Sequence, residues 1–190
     1  HRKVTLVQVV VPSRRSIPRY QELKIEIEQL VSDINGRYTS SGWVPIHYIH
    51  RPLEKTELFA YYRTAEIALI TPIKDGMNLV AKEYCAASIE GKGVLILSEF
   101  AGAAAQLQKG AILVNPYHIE EVAAAIHRAF TMPADERKER MQRLRLAVRR
   151  YDIFRWTNAF LEAAIGRNLD NFPPVDDYMP RVDVSRRIGN

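Results

Sequence analysis

Short apolar runs of strand length alternate with stretches of helical spacing along most of the chain. Residues 4–11 form a largely apolar run interrupted by Thr5 and Gln8. Ile17, Tyr20, Leu23, Ile27, Leu30 and Ile34 then recur at steps of three and four, the period of an amphipathic helix. Gly36 supplies a stop signal. Strand-length runs follow at 44–49, 67–71, 93–97 and 112–114. Helical patterns separate them at 54–63, 79–88 and 101–108, and Ile119, Val122, Ile126 and Phe130 define another. Pro133 opens a further helix, since proline is tolerated in a first turn.

Strands alternating with helices imply a parallel sheet with helices on both faces, a Rossmann-like α/β layer. Ligands bind such layers beyond the carboxyl ends of the strands. The loops after Val11, Ile49, Thr71 and Leu97 are therefore the places to look. Past Gly166, Pro173, Pro174, Asp176, Asp177 and Pro180 break all periodicity. The expected organisation is a Rossmann-like domain over 1–150, a helix over 151–166 and an irregular tail over 167–190.

Composition excludes several classes. A hydrophobic fraction of 47% with 26% charged residues is that of an ordinary globular domain. No apolar run reaches the roughly 18 residues that span a bilayer, so no membrane partner is expected. The first residue is His1 rather than Met, and the chain opens directly on a strand. It is read as a piece of a longer protein, with any leader left open. The single cysteine, Cys85, follows the pattern of a small buried hydrophobe. It fits a reduced, cytoplasmic setting.

The net charge of +5 gathers late, at Arg137, Lys138, Arg140, Arg143, Arg145, Arg149 and Arg150. Met141, Leu144, Val148 and Tyr151 run through this stretch at helical spacing, so the arginines are expected on solvated faces. Without interleaved aromatics, no nucleic-acid partner is expected.

The loop after Thr71 carries the most chemistry. Asp75 and Gly76 precede Met77, Asn78 and a helix. Glycine allows close approach of a ligand to the backbone. The first N–H groups of a helix lack internal partners and, with the helix dipole, suit an anion such as a diphosphate. Any helix start offers this much. Glu83 adds a carboxylate one turn in, an acceptor-only group suited to vicinal hydroxyls. It equally fits a stabilising acid in the first turns of a helix.

The segment Asp75-Gly76-Met77-Asn78-Leu79-Val80-Ala81-Lys82-Glu83 resembles the acid–seven residues–Glu signature of retaining glycosyltransferases built from two facing Rossmann domains. More narrowly, with Tyr84 following, it is similar to the trehalose-6-phosphate synthase family. Val11-Pro12-Ser13-Arg14, Ile34-Asn35-Gly36-Arg37-Tyr38, the run from Leu95 to Ala104 and Val114-Asn115-Pro116 keep the family's order over roughly residues 3 to 160. The resemblance implies the C-terminal, donor-binding half of a GT-B enzyme. That enzyme transfers glucose from UDP-glucose to glucose 6-phosphate with retention.

Residue roles follow from the same resemblance. Asp75, as catalytic group, with the amides of Gly76, Met77 and Asn78, would hold the glucose. The amides of Leu79 and Val80 would take the diphosphate, and Glu83 the ribose. Val9 and the backbone of Leu53 would hold the uracil. Arg14 would meet the acceptor's phosphate, as a guanidinium fork suits. Arg15-Ser16 replace the Gly-Asp of many relatives, and Ser16 fits a helix cap.

The reaction implied needs no cofactor and no metal. Its partners would be UDP-glucose, a sugar phosphate and a missing N-terminal Rossmann domain that carries an arginine and a lysine for the diphosphate. ADP- or GDP-glucose as donor and association with further copies of the chain stay open. So do a sister glucosylglycerol-phosphate synthase, a pseudo-glycosyltransferase and a non-catalytic regulatory domain.

The apolar stripe Ile153, Trp156, Phe160 and Ala164 reads either as local core or as the family's helix that returns to the other domain. The histidines lack metal-site spacing, Ser98 lacks a nearby base, and Lys74 and Lys82 read as solvated.

Overall fold

The computed structural model describes residues 4–12 and 17–165. The chain divides into two compact units, His1–Thr64 and Ala65–Asn190. In the first, β1 (Leu6–Val9) pairs in parallel with β2 (Ile46–Ile49), Leu6 opposite Ile46 and Val9 opposite Ile49. The connection is α1 (Pro18–Tyr38), and α2 (Lys55–Thr64) follows β2.

Gly36 does not stop α1, which runs on to Tyr38. A glycine commonly ends a helix by turning left-handed, and Gly36 does not have that conformation. Asn35 Nδ2 donates to Ile46 O at 2.9 Å while Asn35 Oδ1 accepts from Ile46 N at 3.0 Å. This double bond ties the last turn of α1 to the first residue of β2. Thr39 N closes the turn on Asn35 O at 2.9 Å. In this unit a left-handed glycine, Gly42, φ +76°, lies instead in the turn where Ser40 and Trp43 pair.

The second unit holds a parallel sheet of β3 (Ile67–Ile70), β4 (Val94–Ser98) and β5 (Ile112–Val114), with β4 in the middle. Every residue of β4 is buried. Alternation sends Val94 and Ile96 to one face. There they pack with Ile112, Val114 and Ala125, Ala129 of α5 (Ile119–Thr131). Leu95 and Leu97 are equally buried and fall on the opposite face. α3 (Leu79–Ala87) and α6 (Ala134–Arg150) pack on each other and on β4. The expected class, α/β with parallel strands and helices, is the observed one.

Cys85 is fully buried on α3, and burial pushes its thiol up to about 12. A single short helix, α4 (Ala104–Leu107), replaces the longer one expected over 101–108.

The basic stretch departs from expectation. Met141 and Leu144 are buried as predicted, and Arg143, Arg149 and Arg150 are exposed. Three other arginines are only partly exposed and hold carbonyls at element ends. Arg137, its side chain only 14% exposed, donates to Met132 O at 3.0 Å, Ala129 O at 3.0 Å and Phe130 O at 2.9 Å. It thereby closes the carboxyl end of α5. Arg145 donates to Ala86 O at 2.8 Å at the end of α3, and Arg140 reaches Gly110 O at 3.4 Å. Helix ends leave such carbonyls without internal partners, and the guanidinium satisfies several at once.

α7 (Ile153–Ile165) carries no buried residue, so the stripe from Ile153 is not local core. Trp156 stacks on Phe160 there, rings 5.5 Å apart. No described helix is long and apolar enough to cross a membrane. The predicted tail over 167–190 lies outside the described residues.

Candidate functional site

The loop between β3 and α3 stands at the carboxyl end of a parallel strand, where this fold class places ligands. Its geometry is set by two side chains. Asp75 Oδ1 accepts from Met77 N at 3.0 Å and from Asn78 N at 2.9 Å. Asp75 Oδ2 accepts from Asn78 Nδ2 at 3.0 Å. Asn78 caps α3 by accepting from Ala81 N at 2.9 Å, and its backbone is left-handed, φ +64°. Asparagine tolerates that region better than other side-chain-bearing residues. The Met77 N–H above all, with the Asn78 side chain and amide, holds the Asp75 carboxyl below the usual range against the opposing effect of desolvation.

The Met77 and Asn78 amides both donate to the Asp75 carboxylate, which draws the loop around that side chain. The N–H groups of Leu79 and Val80 precede the first intrahelical bond of α3 and lie beside exposed side chains. Glu83 is exposed one turn further along the same helix. A Cβ at Gly76 would meet no protein atom within 4 Å, so the chain's own packing does not demand glycine there.

Asp75, Gly76, Met77, Asn78, Leu79, Val80 and Glu83 thus share one loop and helix start. Val9, at the end of β1, and Leu53, just before α2, are half-buried members of the first unit. Arg14 and Ser16 lie outside the described residues. Lys82 is half-buried rather than fully solvated, and Lys74 is exposed.

Sequence reasoning missed two features. The role of Asn78 as lock and cap had a usable signal, an asparagine directly before a helical run. The turn after β4 had none. Asp75 O accepts from Gly102 N at 2.8 Å, next to a parallel bridge between Asp75 and Ala101.

The chain is similar to known proteins over most of its described length. A relative from Dictyostelium discoideum, an alpha,alpha-trehalose-phosphate synthase (UDP-forming), is 48% identical over 84% of this chain and 22% of its own length. A trehalose-6-phosphate synthase from Mycobacterium avium is 45% identical over 83% of this chain and 32% of its own. The crystal structure of a UDP-forming synthase from Burkholderia xenovorans in complex with glucose-6-phosphate superposes with a TM-score of 0.80 at 41% identity. That match covers 85% of this chain and 35% of the other. A structure from E. coli bound with UDP-2-fluoro glucose gives the same TM-score at 40% identity. The chain therefore spans about a fifth to a third of the length of these relatives. The family model of glycosyltransferase family 20 matches residues 1–165, the span that holds both units' strands and the Asp75 loop, and the chain belongs to that family.

Proposed function

We propose that this chain is the donor-binding part of a UDP-forming trehalose-phosphate synthase, which transfers glucose from UDP-glucose to glucose 6-phosphate with retention. The observation that supports it most is the construction of the Asp75 loop in a chain 40–48% identical to such synthases. Asp75 Oδ2 accepts one bond from Asn78 and keeps lone-pair capacity for a glucose hydroxyl. The Leu79 and Val80 amides receive the diphosphate at the positive end of the α3 dipole. Glu83 accepts from the ribose hydroxyls. Val9 and the Leu53 backbone hold the uracil, and Arg14 binds the acceptor's phosphate.

In this reading the bond between glucose C1 and the diphosphate oxygen breaks as C1 bonds the acceptor hydroxyl oxygen. The departing phosphate oxygen takes the acceptor's proton, so no protein nucleophile is required. The residues contribute positioning and stabilisation of the leaving diphosphate.

Asp75→Ala and Glu83→Ala in the full-length protein should each weaken UDP-glucose binding by about tenfold or more, the loss of a hydrogen bond to a charged group. Calorimetric titration measures this directly. Unchanged affinity in both variants would overturn the assignment of the site.

A further inference from the structure

We propose that Gly102 is a positioning residue for the donor loop, so that the turn after β4 sets where the Asp75 carboxylate stands. The proposal rests on the donor-site reading above. A Cβ built on Gly102 would lie 2.0 Å from Gly76 O, 2.5 Å from Gly76 C and 3.1 Å from Met77 N. The obstructing atoms are backbone, so no side-chain rotation relieves the overlap. Any residue other than glycine at 102 must displace either its own turn or the Gly76–Met77 peptide.

The loop is the part that yields. The turn grows out of β4, whose every residue is buried, and Ala101, Ala103 and Ala104 are buried as well. Ser98, fully buried, accepts from Phe100 N through its hydroxyl at 3.1 Å and from Ala101 N through its carbonyl at 3.1 Å. Ala104 N closes on Ala101 O at 2.8 Å. Gly76 and Met77, by contrast, are exposed, and a Cβ at Gly76 would meet open space.

Displacement of that peptide carries directly into the site. The Met77 N–H that it contains is a donor to Asp75 Oδ1, and the next amide shares the same oxygen. Asp75 is bonded through Oδ2 to Asn78, which caps α3. One steric change at 102 therefore shifts the Asp75 carboxylate and the first-turn amides together. Gly102 acts through these groups and needs no contact with the donor.

The test is Gly102→Ala in the full-length protein, with steady-state kinetics for donor and acceptor separately. KM for UDP-glucose should rise by at least about tenfold, the scale expected of a misplaced binding group, with KM for the acceptor little changed. Gly110→Ala is the matched control. A Cβ there would lie 2.6 Å from Leu144 Cγ and 2.7 Å from Arg140 O, also too close to fit without a shift, but just before β5, at the opposite end of the sheet. It should lower Tm without raising the donor KM.

Should Gly102→Ala not fold, Ser98→Ala removes only the hydroxyl bond to Phe100 N. It should still raise the donor KM by about threefold, the loss expected of one modest hydrogen bond, at constant acceptor KM. An unchanged donor KM in the folded Gly102→Ala protein, or in Ser98→Ala where that fails, overturns the proposal. Equal rises in Gly102→Ala and Gly110→Ala also overturn it. If Asp75→Ala impairs donor binding in the same assays, the donor-site reading survives that failure. If Asp75→Ala and Glu83→Ala are also silent, the reading beneath it falls too.

Discussion

Asp75 organises its own loop with the carboxylate that the proposed reaction also uses. The two tasks are compatible because Oδ1 serves the loop amides and Oδ2 is only singly engaged. The Met77 N–H lowers the carboxyl's folded-state pKa below that of an unfolded aspartate, which is about 3.9. Its stabilising contribution is therefore complete above that value and is lost as pH falls through the lower, folded pKa. Urea denaturation of the protein and its Asp75→Asn variant should show a stability gap that narrows below about pH 4, the window set by that ordinary value. A gap constant from pH 6 to pH 3 would contradict this. The acids themselves were legible in the sequence, since an Asp-Gly before a helix and a Glu one turn in are local patterns. The demand for glycine at 102 was not. The atoms that impose it belong to Gly76 and Met77, distant in the chain and invisible to any window around Gly102.

At the scale of single elements, α6 shows why charge patterns underdetermine structure. Its apolar period correctly gave Met141 and Leu144 as the buried side. The fate of its arginines depends on carbonyls offered by α3, α5 and the turn at Gly110, which no helical wheel displays. Arg137→Met keeps the stem but leaves Ala129 O, Phe130 O and Met132 O short of a donor. It should cost about 1–3 kcal/mol in urea denaturation, the penalty of unsatisfied groups. Arg143→Met removes an exposed pairing with Glu139 one turn away and should stay within about 0.5 kcal/mol. Equal losses in the two would refute the distinction. In the same way the periodicity gave α1 but not its end. Asn35 bonds to Ile46, a tertiary contact, and the helix passes through Gly36.

For the whole molecule, hydrophobic period sufficed to give the α/β class and the order of elements. It did not give strand partners, because a parallel strand carries no mark of its neighbour. The observed pairing groups β1 with β2 and β3 with β4 and β5. The two units also differ in burial. Neither α1 nor α2 has a buried residue, whereas β4 is buried throughout. The chain spans a fifth to a third of the relatives' length. The isolated 190-residue chain should form no detectable trehalose phosphate from UDP-glucose and glucose 6-phosphate when assayed for UDP release. Measurable turnover by the purified chain would refute this.

The sealed position of Cys85 has a practical consequence. It is the sole thiol of the sequence, and burial keeps it protonated far above neutral pH, so the thiolate that reacts with maleimides is scarcely populated. One cysteine introduced on the exposed surface of each unit would then give two addressable handles for fluorophores or spin labels. Distance measurements between the two units of this 190-residue chain could thus begin without first deleting Cys85.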